Sequence, residues 1–265
     1  MVDSASRQPT LSRRWTRRKS PRHWDHAFAA LKKLIANGED TTQVFEIIRA
    51  LSGRSHEDNY VHLLAQPDGG RLAYEHLEFV EKLTDRTWVE SFQPGTVGAA
   101  YAEFTSREHL SADGLLQVSL QASGDGDYQS PHPYDWYGRR LRDIHDIWHV
   151  VTGYGRDGLG EACMVAFAYA QTHGLGWAFI SLGVALKSGD RRARRSIWEG
   201  YRRGCAAAWL PGEDYERLLG EPLEEARTRL NLGSSPIYDS VPMEIRRHPT
   251  VSHPSAHAYH GLAAA

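Results

Sequence analysis

Residues 139–161 read RRLRDIHDIWHVVTGYGRDGLGE, and the course of the chain follows from them. His145 and His149 are four apart, so on a helix they share one face and can point at the same ion. Asp146 stands three residues before His149 and borders that face, while Ile147 and Trp148 fall away from it toward a core. Gly153, Gly155, Gly158 and Gly160 allow a tight return, which sets Glu161 at the start of a second helix beside the first. The spacing predicts a helix over about 135–151 and another from about residue 161. Two imidazoles and two carboxylates from adjacent helices make a donor set suited to Zn²⁺, Fe²⁺, Mn²⁺ or Co²⁺. A plainer reading pairs the same acids with Arg139, Arg142 or Arg156 as buried ion pairs.

Outward from this segment the periodicity is helical almost throughout. Trp24, Phe28, Leu31 and Ile35 repeat at helical spacing over 24–36, and Asn37-Gly38 ends the run. Asp40-Thr41-Thr42 offers an N-cap to a helix whose apolar face is Val44, Ile47, Ile48 and Leu51, with Gly53 at its C′ position. Helices are also expected over 71–83, over 97–110 behind a Thr96 cap, and over 214–230. No stretch alternates cleanly enough for a strand; the best candidate, 116–120, is short. Residues 162–186 carry no Asp, Glu, Lys or Arg, a length that would span a bilayer. Gln171, His173, Gly174 and Gly176 interrupt it, so a buried helix pair beside an apolar cavity fits better than a span. From Asn231 onward, Pro236, Pro242, Pro249 and Pro254 predict an extended, weakly ordered tail.

The chain has 265 residues, 41% hydrophobic and 24% charged, with a formal net charge of −2. These values exclude a disordered chain and a multi-span membrane protein, and no global field favours nucleic acid. The charge is uneven. Residues 1–22 hold seven basic side chains and one acid, leaving 24 basic and 32 acidic residues in the rest. That arm is either a solvated terminus, a contact for anionic lipid or a partner, or a transit-peptide-like leader short of apolar residues. No secretory leader pattern precedes it. Two cysteines, Cys163 and Cys205, form no disulfide framework and suit a reducing compartment.

The pattern His-Asp-x-x-His, eleven residues, then Glu resembles the zinc signature of the fourth coenzyme Q biosynthesis protein family of mitochondria and bacteria. The stretches DTTQVFEIIRALSG, PGTVGAAYAEF, YGRRLRDIHDIWHVVTGYGRDGLGEA, YRRGCAAAWL and PLEEARTRLNL are similar to that family in the same order, over about 40–232. The resemblance implies an all-α fold, a single multi-helix domain over 23–232, between the basic arm at 1–22 and the tail at 233–265. It implies a divalent metal, zinc in that family, held by His145, Asp146, His149 and Glu161; iron, manganese or cobalt would suit an oxidation better, since zinc has no redox chemistry. The activity implied is oxidative decarboxylation, carboxyl to hydroxyl, at ring carbon 1 of a polyprenylated 4-hydroxybenzoate-type precursor. The family is also described as a scaffold. The implied partners are that prenylated precursor, membrane lipid, the other ubiquinone-biosynthesis enzymes and further copies of the chain, with no nucleic acid. The place implied is a membrane surface, the cytoplasmic face of a bacterial inner membrane or the matrix side of the mitochondrial one.

Further candidates surround the motif. Arg139, Arg142 and Arg156 can receive a carboxylate, or else pair with Asp143 or Asp157. Tyr154, like Trp136 and Tyr137, can face a quinone ring or fill the core. The run RRARR at 191–195 meets lipid headgroups or water. His248, His253, His257 and His260 resemble a second metal site only superficially. Two other functions compete: a non-catalytic lipid-binding scaffold with a structural metal, and a metal-dependent phosphohydrolase that would recruit His109, His132 and Asp190 to the His145-Asp146 doublet.

Overall fold

The uncharged stretch folds as two helices and not one. In the computed structural model, which describes residues 21–37, 40–76, 78–108 and 132–250, the chain turns at His173, whose φ of 53° is left-handed, and restarts after Gly174. Among the described residues, no helix is long and apolar enough to cross a membrane.

Helices α1 (Trp24–Ala36), α2 (Thr41–Leu51), α3 (Ser55–Leu64), α4 (Gly69–Glu75), α5 (Phe79–Thr84), α6 (Arg86–Val89) and α7 (Val97–Arg107) lead to the site-bearing helices. Those are α8 (Pro133–Asp143), α9 (His145–Thr152), α10 (Gly158–Thr172), α11 (Leu175–Lys187) and α12 (Arg191–Ala206). The short helices α13 (Tyr215–Gly220), α14 (Leu223–Arg229), α15 (Pro236–Asp239) and α16 (Met243–Arg247) close the described part. Among the described residues there is no strand; Thr96 and Pro222 make one isolated bridge.

Helix α10 is apolar on nearly every side, as a helix surrounded by others must be. Cys163, Met164, Ala166, Phe167 and Ala168 are all buried. Helix α12 lies along it in the same sense, through a face of Ala193, Ser196, Ile197, Gly200 and Gly204. Side chains at those two glycines would not fit: a Cβ on Gly200 would stand 2.5 Å from the Cys163 carbonyl oxygen, and one on Gly204 would stand 2.7 Å from that of Phe167. The other side of α10 meets α1, α2 and α11 through Val165, Ile47, Leu51 and Ile180. Asn59 of α3 donates to the Thr172 carbonyl at 2.6 Å and so caps the C-terminal end of α10.

Several expected boundaries shift, each for a tertiary reason. The helix expected over 135–151 breaks at Ile144 (φ −86°, ψ −5°). The break accompanies burial of Asp143, whose carboxylate accepts from Arg142 at 2.6 Å and from the Val80 N–H at 3.1 Å. The helix expected over 71–83 divides at His76, which adopts φ 51° with its ring 4.7 Å from that of Trp136. Pro222, which has no N–H to give, divides the one expected over 214–230. The tail expected to be extended instead carries α15 and α16, with Tyr238 2% exposed against the core. Pro236 and Pro242 stand at the two helix starts, where a missing N–H costs nothing. The 116–120 strand candidate, residues 1–20 of the basic arm, His109 and the histidines beyond 250 lie outside the described residues.

Candidate metal centre

Helix α9 begins at His145 and ends when Gly153 turns left-handed at φ 80°. Five residues then bring the chain back, and Asp157 starts α10 by accepting from the Gly160 N–H at 2.9 Å. Glu161 thus sits in the first turn of α10, where a carboxylate is favoured by the helix dipole. It faces His149 across the loop.

His145, His149 and Glu161 each offer a donor atom, and these atoms lie within 4.8 Å of one another. The closest pair is His149 Nε2 and Glu161 Oε2, at 3.5 Å. That separation is long for a hydrogen bond. It is close to the roughly 3.4 Å between two donors that share a tetrahedral ion at about 2.1 Å. His149 Nε2 is buried and has no hydrogen-bond partner. Its other nitrogen, Nδ1, donates to the Tyr154 carbonyl at 3.0 Å, so the lone pair of neutral His149 rests on Nε2 and points at Glu161. The donor set and this orphaned nitrogen fit a divalent cation. Asp146 is beside the trio but outside it: its Oδ1 stands 3.5 Å from His145 Nδ1.

The charges agree. Burial works against the Glu161 anion, but His149, His145 and Arg156 outweigh it and hold the carboxyl at about 2. Burial also opposes the Asp146 anion, and His145 and His149 again bring its pKa below the usual value. For His149, burial disfavours the proton, and Glu161, Asp146 and the Tyr154 carbonyl together raise its affinity for one. This field draws a cation to Nε2.

The four candidate substrate residues separate. Arg156 reaches the site, with Nε 3.4 Å from Glu161 Oε1 and about a third of its side chain exposed. Arg139 forks onto Glu78 at 2.6 Å, and Arg142 is buried against Asp143. Tyr154 belongs to the loop and turns its ring inward, 1% exposed, with the Arg203 guanidinium over the ring at 4.7 Å. Trp136 and Tyr137 are core residues. His132 and Asp190, candidates for the phosphohydrolase reading, cap α8 and α12. Sequence reasoning did not anticipate Phe104, whose ring stacks on His149 at 5.8 Å and 17°, nor the Tyr154 carbonyl. The PGTVGAAYAEF stretch holds Phe104 but nothing in it signals the contact; a backbone acceptor leaves no mark in a sequence at all.

Known proteins resemble this chain over most of its length. The profile described as Coenzyme Q (ubiquinone) biosynthesis protein Coq4 matches residues 34–236. The mitochondrial ubiquinone biosynthesis protein COQ4 of Uncinocarpus reesii is 28% identical over 221 residues, covering 80% of this chain and 72% of that protein. Its Candida albicans counterpart is 25% identical over 211 residues, and there the aligned region spans 77% of this chain and only 59% of the relative. A crystal structure from Nostoc punctiforme, of a protein assigned to ubiquinone biosynthesis, shares the fold at a TM-score of 0.57 and 22% identity, over 80% of this chain and all of that one. With more than half its length matched, the chain belongs to the Coq4 family of coenzyme Q (ubiquinone) biosynthesis proteins.

Proposed function

We propose that this protein is a metal-dependent enzyme of ubiquinone biosynthesis, removing the ring carboxyl at carbon 1 of a polyprenylated 4-hydroxybenzoate-type precursor as CO2 and leaving a hydroxyl, with water as the source of the new oxygen and dioxygen as the two-electron acceptor that leaves as hydrogen peroxide. The observation that carries the proposal is the orphaned, buried Nε2 of His149, 3.5 Å from Glu161 and beside His145. His145, His149 and Glu161 would hold the ion, with Asp146 as a fourth ligand through a small turn of its side chain. When bound, a divalent ion supplies a Lewis acid for a carboxylate, and iron, manganese or cobalt would add the redox capacity that zinc lacks.

The chain's own residues do the rest. The Tyr154 carbonyl fixes the His149 tautomer and ring direction. Arg156, freed when Glu161 turns to the ion, offers its guanidinium to the substrate carboxylate at the edge of the site. Phe104 covers one face of His149 and keeps water from it. The prenyl tail, the neighbouring biosynthetic enzymes, a membrane surface and further copies of the chain are the partners that this reading implies.

A scaffold role competes on one point: four protein ligands close a tetrahedral shell and leave a reactant no position. Elemental analysis of protein purified without added metal, with extraction of bound lipid, is the first measurement. The second is complementation of cells lacking their own copy by the Glu161→Ala variant. A carboxylated prenyl ring accumulating beside normal amounts of the partner enzymes supports catalysis at carbon 1. Loss of those enzymes with a general pile-up of early intermediates supports the scaffold. Normal ubiquinone from a metal-free variant sinks the catalytic metal.

A further inference from the structure

The loop that carries the metal centre is held from outside by a residue just beyond the stretch matched to the family. Tyr238, in α15, is 2% exposed. Its hydroxyl donates to Asp157 Oδ2 at 2.5 Å and accepts from the Gly155 N–H at 3.0 Å. The other carboxylate oxygen of Asp157 caps α10 at Gly160. One phenol oxygen therefore holds two positions of the loop, Gly155 and Asp157. Next to Gly155 lies the Tyr154 carbonyl, which orients His149, and one helical turn beyond Asp157 lies Glu161, which faces it.

Tyr238 is itself fixed on several sides. Glu199 of α12 accepts from the backbone N–H groups of Ile237 and Tyr238, at 3.4 and 3.2 Å. The Arg246 guanidinium covers the ring at 4.2 Å, and the Tyr154 ring meets it edge-on at 5.2 Å. Burial and the neighbouring Asp157 raise the phenol's pKa, so it remains a donor. The residue touches none of the metal-binding side chains.

We propose that Tyr238 is a positioning residue for the metal centre. Its hydroxyl bridges Gly155 and Asp157 and so holds the 153–157 loop in the one course that aims His149 Nε2 and Glu161 at the same ion. The proposal rests on the metal-centre reading above. Losing a group bonded directly to a metal ligand weakens binding by roughly 10–100-fold; Tyr238 acts one bond further out, so its loss should weaken binding by up to about 10-fold, the low end of that range.

The test uses the full chain and Co²⁺ as the probe, titrated by its visible absorbance and by competition with a chelator. Tyr238→Phe keeps the ring and its packing and deletes only the hydroxyl. It should bind Co²⁺ up to about 10-fold more weakly than wild type, while the metal-free protein melts within a few degrees of it. Ile47→Val, in the separate α1–α2 core, should lower the melting temperature and leave Co²⁺ affinity unchanged. Within a Glu161→Gln background, Tyr238→Phe should cost much less affinity, because the group it positions is already altered. Unchanged Co²⁺ affinity in Tyr238→Phe, or an equal loss in Ile47→Val, would overturn the positioning role alone. A wild-type protein that binds no Co²⁺, with all variants alike, would overturn the metal centre and the positioning role together.

Discussion

Gly160→Ala is the sharpest perturbation of the centre, because it adds one methyl group and no new chemistry. A Cβ there would stand 2.0 Å from the Gly155 carbonyl oxygen, whereas ordinary contact begins at 3.4 Å. One partner must therefore move by about 1.4 Å, and the obstacle is backbone, which cannot swing aside as a side chain does. If the loop retreats, the Tyr154 carbonyl next to Gly155 leaves His149 Nδ1, now 3.0 Å away. If the helix start retreats, Glu161 leaves His149 Nε2. Overpacking of this kind costs about 1–3 kcal/mol, and the better helix propensity of alanine returns at most about 1 kcal/mol. At roughly 2–4 °C per kcal/mol for a chain of this size, the metal-free variant should melt lower by several degrees. Metal affinity should fall as well, since both routes misalign a ligand. Thermal melts followed by circular dichroism, with chelator and with excess Zn²⁺, measure the first effect; a Co²⁺ titration measures the second. A variant that melts at or above wild type and binds cobalt with unchanged affinity would refute the close approach of loop and helix on which the reasoning depends.

Three other outcomes follow from the same geometry. Glu161→Gln should lose at least the roughly 10–100-fold in metal affinity that losing an outer partner costs, yet without metal melt near wild type once pH is high enough for His149 to be neutral, because about a third of the side chain is exposed; a cooperative loss of fold there would contradict it. The His149 proton, favoured by Glu161 and Asp146 above its ordinary 6.5, stabilises the metal-free fold fully below that pH and ceases to do so as pH rises through the elevated value in the folded state. Metal must displace that proton, so the Zn²⁺-induced rise in melting temperature should grow over the same window, and a rise independent of pH would count against Nε2 as a ligand. Cys163 is fully buried, which pushes its thiol well above the usual range, while Cys205 is exposed; iodoacetamide should label Cys205 fast and Cys163 only on unfolding, as mass spectrometry of labelled peptides would show.

Sequence by itself determined the helical class, the placing of His145 and His149 on one helix face with Glu161 at the next helix start, and the position of α1, α2 and α7. Those readings depend on local chemistry: apolar residues at helical spacing, a threonine where a helix starts, two histidines one turn apart, glycines where the chain must double back. The uncharged stretch around His173 was also legible as a broken pair, because glycine and polar residues in its middle are local facts. Only the tertiary structure decided the break at Ile144, where a long-range bond from the Val80 N–H to Asp143 accompanies the end of the helix, and the left-handed turn at His76 against Trp136. Tertiary structure also drew Arg139 to Glu78. In the same way it folded the proline-rich tail into two short helices and seated Tyr238 on the loop between His149 and Glu161. Partners of this kind are dozens of residues apart along the chain, and local propensity has no term for a hydrogen bond whose other half arrives only when the core closes.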